Sequence, residues 1–274
     1  MSGRRNEAEY NPRVGVPHVQ EILRDWADRA AETRRRHPPA ADIRYGAHPR
    51  ETLDLFRARE PRGCLIFLHG GYWRALSKSE SSWVADAFLG QGISVALVNY
   101  PLTPEVGLDR ICEAAHAAFL HLYRATLSDA ERRRIVVAGH SAGGYLAASH
   151  LASDWKAEGL PRDPIAGVVP ISGIFRLAPL LETSMNDEIR LAPESAEALS
   201  LDRRPCRSRA RLAFVVGGDE TAAFHEQSAA MARHWAELHP TVTDVLGRHH
   251  FDVVDGLTER GSALNSLVLG MIDS

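Results

Sequence analysis

The run Ile135-Val136-Val137-Ala138-Gly139-His140-Ser141-Ala142-Gly143-Gly144 constrains this chain more than any other stretch, because it puts a serine on a sharp turn between a buried strand and a helix. Four apolar or small residues supply the strand. The following Tyr145-Leu146-Ala147-Ala148-Ser149-His150-Leu151 supplies a small-residue helix that can pack closely on a sheet. A strained turn needs residues without side-chain bulk at Gly139 and Gly143, so that the Ser141 hydroxyl projects into a cleft. The pattern reads as a nucleophile elbow. For so short a motif the plain alternative is a glycine-rich turn that carries an ordinary surface serine.

Two further features weigh against that alternative. Upstream, the strand-like Leu65-Ile66-Phe67-Leu68 ends in His69-Gly70-Gly71-Tyr72-Trp73. A glycine loop at a strand end can aim the N–H groups of Gly70 and Gly71, with that of Ala142, at the oxygen of a tetrahedral intermediate. One such fixed donor is typically worth roughly 3 kcal/mol of barrier. Downstream, Leu212-Ala213-Phe214-Val215-Val216 leads into Gly217-Gly218-Asp219-Glu220, and Val242-Thr243-Asp244-Val245-Leu246 leads into Gly247-Arg248-His249-His250-Phe251. The chain order is therefore serine, acid, histidine, the order of an α/β-hydrolase. Loops beyond the carboxyl ends of parallel strands converge on one crevice, which would bring these distant residues together.

Adjacent residues compete at both partner positions. Asp219 and Glu220 are rival acids, and His249 and His250 are rival bases. The spacing G-x-x-acid counted from Gly217 favours Glu220. A place directly before the apolar Phe251 favours His250.

Along the rest of the chain, Val19, Ile22, Leu23, Trp26 and Ala30 recur at helical spacing after Pro17, which predicts an amphipathic helix over about residues 17–36. Strands are expected at Ala41–Tyr45, Leu53–Phe56, Cys64–Leu68, Ile93–Val98 and Ile165–Ile171, with helices around Ser82–Leu89 and Ile111–Tyr123. Such alternation implies a mainly parallel, twisted sheet with helices on both faces. The whole chain, residues 1–274, is expected to form one domain. The stretch 172–209 is long for a simple connection and is read as a cap over the crevice, with a short helix at Pro193–Leu199; the alternative is a surface excursion without a catalytic role.

With 274 residues, 45% of them hydrophobic, the chain can bury a substantial core, and a formal charge of −3 gives no support for nucleic-acid binding. Cys64, Cys112 and Cys206 are too few and too widely spaced for a disulfide framework or a zinc cluster, so free thiols are expected. The polar start Met1–Glu7 lacks a signal-peptide pattern, and no apolar run approaches the roughly 20 residues that span a bilayer. A cytoplasmic protein acting on a small molecule, without membrane attachment, is expected; the oligomeric state is open, a homo-oligomer included. No cofactor or metal is implied, since the side chains of the adjacent His249 and His250 diverge in an extended loop.

The sequence resembles the kynurenine formamidase (arylformamidase) branch of the α/β-hydrolases, close to the hormone-sensitive-lipase-like esterases. The resemblance runs through Tyr10-Asn11-Pro12-Arg13, His69-Gly70-Gly71-Tyr72-Trp73 with Ser77-Lys78, Asn99-Tyr100-Pro101-Leu102, the elbow, Ile171-Ser172-Gly173-Ile174-Phe175, Thr183-Ser184-Met185-Asn186-Asp187 and His250-Phe251. It implies Ser141 as nucleophile, Glu220 as acid and His250 as base, although animal members tend to have aspartate at the acid position. It also implies cleavage of an aryl formamide or related N-acyl arylamine through an acyl-enzyme, with a carboxylesterase acting on small or aromatic esters as the alternative. Tyr72, Trp73 and Phe175 are the candidates for aromatic surface around an aryl group. A hydrolase-fold binding protein without catalysis is a third class, and the intact serine, histidine and carboxylate argue against it.

Overall fold

Alternating apolar residues along the strands sort the interior into two layers. The computed structural model describes residues 2–274. In chain order its elements are α1 (Ser2–Tyr10), α2 (Val19–Arg36), β1 (Ala40–Arg44), β2 (Thr52–Phe56), β3 (Gly63–Leu68), α3 (Val84–Leu89), β4 (Ile93–Val98), α4 (Leu108–His121), α5 (Asp129–Arg132), β5 (Ile135–His140) and α6 (Ala142–Ser149). They continue with β6 (Gly167–Ile171), α7 (Asn186–Ile189), α8 (Pro193–Leu199), β7 (Arg211–Gly217), α9 (Ala222–His234), β8 (Thr241–Val245) and α10 (Ala263–Asp273). The eight strands form one sheet in the order β1-β2-β4-β3-β5-β6-β7-β8, parallel from β4 onward, with β2 antiparallel to both of its neighbours.

Leu65, Phe67, Val95, Leu97, Val136 and Ala138 face one side, where α2, α3 and α10 cover them with Trp26, Phe88 and Val268. Ile66, Leu68, Val98, Val137, Phe214 and Val216 face the other side and meet Ile111, Phe119, Leu146 and Met231 of α4, α6 and α9. This two-sided burial is what makes the central strands nearly continuous apolar runs. It is the mainly parallel α/β sheet expected from the alternation of elements, and the helix expected over 17–36 spans Val19–Arg36.

The sequence patterns do not point to α1, α5, α7, α9 or α10. The first of these is polar, and tertiary bonds rather than an apolar stripe hold it in place. Ser184 donates from both its N–H and its hydroxyl to the Glu7 carboxylate, and Thr221 donates to the Glu9 carbonyl. Between β6 and β7 the chain carries α7 and α8 within the stretch read as a cap. That stretch is tied down by Asn186, which pairs with the backbone of Leu191, and by Gln227, which accepts from Phe175 and Arg176 N–H groups. Among the described residues no helix is long and apolar enough to cross a membrane.

Candidate active site

The carboxyl ends of β3, β5, β6, β7 and β8 open onto one side of the sheet, and each delivers one part of the site. At the end of β5, Ser141 has φ 53° and ψ −115°, the strained turn anticipated from its flanking glycines. Those glycines are required by close approach. A Cβ on Gly143 would lie 2.0 Å from the Leu68 carbonyl oxygen, and one on Gly139 would lie 2.1 Å from that of Gly143. The elbow is thus wedged against the end of β3.

From β3 the chain enters the His69–Trp73 loop, with Gly71 at φ +104° and both Tyr72 and Trp73 in the left-handed region. Tyr100 stacks on His69 at 4.2 Å and donates to the His69 carbonyl at 2.7 Å. His69 in turn donates from Nδ1 to the Gly70 carbonyl, and burial pushes its pKa down to about 3, so the ring is neutral. Behind the loop, Lys78 is buried and bonds Asp54 of β2 at 2.7 Å and Asp42 at 2.8 Å. With carbonyls consumed in these internal bonds, the N–H groups of Gly70, Gly71 and Ala142 have no protein acceptor among the described residues. Unspent N–H donors at such strand ends can receive negative charge that develops on an oxygen.

Past β7, the turn at Gly217 places Glu220 inward and leaves Asp219 exposed. The Glu220 carboxylate accepts from His250 Nδ1 at 2.7 Å, from the Ser172 hydroxyl at the end of β6, and from the Gly217 N–H at 2.7 Å. Its side chain is 1% exposed, and that of His250 5%. Burial raises the Glu220 pKa, but the His250 charge and these hydrogen bonds outweigh it and hold the group below the ordinary carboxylate value. The rival His249 serves the loop instead: its Nδ1 accepts from the Phe251 and Asp252 N–H groups. The structure therefore brings Glu220 and His250 together, and Ser141 and His250 share one cleft wall.

That cleft, of about 290 Å³, is walled by Leu23 and Trp26 of α2, Tyr72, Leu76, His140 and Phe251, with Arg13, Arg74 and Glu188 also lining it. Of the three aromatic candidates, Tyr72 lines the cleft and donates its hydroxyl proton to the Tyr10 carbonyl. Trp73 and Phe175 do not. Both are fully buried in the core, Trp73 edge-on to Tyr145 at 5.4 Å and Phe175 against Phe214 at 5.3 Å. Trp73 packs instead on Tyr145 of α6, in the core layer on that side of the sheet.

His140, Ser172 and Trp26 belong to the site without having been singled out by their motifs. His140, the residue before the serine, donates from Nε2 to the His250 carbonyl at 2.7 Å. Burial, with the nearby His250 charge, pushes its pKa down to about 3, which keeps it a neutral donor. Trp26 packs edge-on against His140 at 6.1 Å and beside Phe251 at 6.4 Å. The one available signal was the large aromatic on the buried stripe of an otherwise surface helix.

Comparison with known proteins agrees with this architecture. Residues 65–252 match a family model described as the alpha/beta hydrolase fold. The chain is 27% identical over 241 residues to a kynurenine formamidase of Danio rerio, covering 84% of this chain and 81% of that protein. A crystal structure from Silicibacter sp. TM1040, described as a candidate thioesterase, superposes with a TM-score of 0.87 at 32% identity, covering 96% of this chain and 98% of that one. An esterase of Pyrobaculum calidifontis shares the fold, with a TM-score of 0.69 at 17% identity over 93% of both chains. A match spanning most of the chain, on a sheet of this order with these strand-end loops, has one reading: the chain belongs to the α/β-hydrolase-fold family and is a hydrolase of the formamide or ester type.

Proposed function

We propose that the chain is a serine hydrolase that cleaves an aryl formamide, in the manner of a kynurenine formamidase, through a formyl-enzyme. His250 Nε2 takes the Ser141 proton as Oγ attacks the formyl carbon. The oxyanion is received by the N–H groups of Gly70, Gly71 or Ala142. His250 then gives the proton to the arylamine nitrogen as the C–N bond breaks, and afterwards deprotonates the water that releases formate from Ser141. Glu220 stays ionised throughout and stabilises the imidazolium. The formyl group is the smallest acyl group and an arylamine is a weakly basic leaving group, which suits a narrow cleft. The stretch 172–209 acts as a cap on this one domain, reaching the cleft through Glu188.

The substrate class rests on one observation, the identity with a kynurenine formamidase that runs through 84% of the chain. A second reading, an esterase for small or aromatic esters, is favoured by the 32% identity with a candidate thioesterase. Both use the same three side chains. Comparing kcat/KM for N-formylkynurenine, an N-acetylated arylamine and a short-chain aryl ester separates them. The formamidase reading expects the formamide to lead, and a preference for the ester by ten-fold or more would reverse the order.

A further inference from the structure

The loop after β3 holds a shape that its own residues do not favour. Gly71 has φ +104°, and Tyr72, Trp73 and Leu76 lie in the left-handed region at φ 50°, 55° and 68°. Side chains with a Cβ enter that region at a cost, and such a run persists only where its surroundings fix it. The N–H groups of Gly70 and Gly71 belong to the same loop, so whatever fixes the loop also fixes these donors.

Two of the fixing contacts meet at Arg50, in the turn between β1 and β2. Its Nη2 donates to the Leu76 carbonyl at 2.8 Å, at the far end of the loop. Its Nε donates to the Tyr100 carbonyl at 2.9 Å, and Tyr100 closes the near end by stacking on His69 and donating to the His69 carbonyl. Nη2 also reaches Asn99 Oδ1 at 3.2 Å, an oxygen that accepts from the Lys78 N–H at 3.1 Å just beyond the loop. Arg50 is partly buried and forms no ion pair among the described residues. Its charge is spent on the neutral oxygens of two loops, and hydrogen bonds from a charged donor are the strong ones. A planar guanidinium fork can span two backbones in fixed directions, which a lysine ammonium cannot.

We propose that Arg50 is a positioning residue that sets the oxyanion donors of Gly70 and Gly71 from outside the cleft, by holding both ends of their loop. This role rests on the Ser141 chemistry above and is the same for a formamide or an ester. Donors that wander harm the transition state, where charge has developed on the oxygen, more than the bound substrate.

The test compares wild-type protein with Arg50→Met, Arg50→Lys and Tyr100→Phe. Steady-state hydrolysis of N-formylkynurenine or phenyl acetate, whichever turns over faster, gives kcat and KM, and urea unfolding gives stability. Inhibition constants are taken for phenyl trifluoromethyl ketone and phenyl methyl ketone. Ser141 Oγ adds to the carbonyl carbon of the first as its proton passes to His250, and the carbonyl oxygen becomes an oxyanion with no group leaving; the second ketone occupies the cleft without adding. Arg50→Met lowers kcat by about 10-fold or more with KM within about 2-fold, and it weakens the trifluoromethyl ketone by a similar factor while the methyl ketone moves by less than about 2-fold. Arg50→Lys keeps the charge and Tyr100→Phe keeps the stacked ring; both show the same pattern to a smaller extent, which decides the matter if Arg50→Met does not fold. Lower stability with kcat and the ratio of the two ketones unchanged in the folded variants, or equal weakening of both ketones, would overturn the positioning role while leaving the Ser141 chemistry in place. A wild-type protein that binds the trifluoromethyl ketone no more tightly than the methyl ketone would overturn the oxyanion site and the positioning role together.

Discussion

Replacing Glu220 by glutamine keeps shape and removes charge, and the geometry says what should follow. The carboxylate accepts three hydrogen bonds, from His250 Nδ1, the Ser172 hydroxyl and the Gly217 N–H. A glutamine amide can still offer its oxygen to Ser172 and Gly217. Its NH2 group then faces His250 Nδ1, which must become an acceptor, and the ring proton moves to Nε2, the nitrogen that has to receive the serine proton. The base is in the wrong tautomer, and the imidazolium has lost its counter-charge. For a triad of this kind the loss is about 10⁴-fold in kcat, or roughly 5 kcal/mol of transition-state stabilisation, with KM nearly unchanged. Steady-state hydrolysis of an aryl formamide or aryl ester by Glu220→Gln and Asp219→Asn measures it, with the second variant expected within about 2-fold of wild type because Asp219 is exposed. A Glu220→Gln enzyme within 10-fold of wild type, or an Asp219→Asn enzyme equally impaired, would refute the reasoning.

Trp73 is core, so Trp73→Ala is expected to destabilise the fold by about 3–5 kcal/mol in urea unfolding and to slow ester and formamide hydrolysis equally; a selective loss on aryl substrates would return it to the cleft. Gly143→Ala puts a methyl group 2.0 Å from the Leu68 carbonyl oxygen and is expected to cost several kcal/mol or abolish soluble expression, whereas near-normal stability would mean that the elbow is not wedged as described. Stability should also fall with acid earlier than carboxylates alone dictate. His69 and His140 are held neutral with pKa values near 3 and His150 near 4, all below the value of about 6.5 expected unfolded. Their contribution is complete above pH 6.5 and is lost as pH falls toward the folded values, at up to about 1.4 kcal/mol per pH unit for each histidine. Urea midpoints that stay flat between pH 6.5 and pH 5 would contradict this.

The parts of the site legible in the sequence are those written by backbone constraint. Gly139 and Gly143 betray the elbow because no larger residue fits, and the loops after β7 and β8 stand out because a buried apolar run precedes the first and an alternating run, largely exposed in the fold, precedes the second. In the sequence, only spacing and a following phenylalanine separate Glu220 from Asp219 and His250 from His249. The geometric reason is different: Gly217 turns the chain so that Glu220 points beneath His250, while His249 is consumed by the backbone of its own loop. Trp73 and Phe175 are core residues rather than cleft walls, and an aromatic beside a glycine loop looks the same in sequence whether it faces a cleft or a helix. His140 was hidden by its role as the variable residue of the motif, although its Nε2 proton fixes the His250 carbonyl. Helix α1 left no periodic signal, since side-chain bonds to distant residues hold it.

The proposed chemistry depends first on Ser141 as nucleophile. The direct measurement treats the enzyme with a stoichiometric p-nitrophenyl phosphonate and follows residual activity alongside intact-protein mass and peptide mapping. Activity should fall in step with the gain of one adduct, that adduct should map to Ser141, and a folded Ser141→Ala protein should take up none. Inactivation with the adduct on another residue, or full activity with Ser141 completely modified, would contradict the central claim.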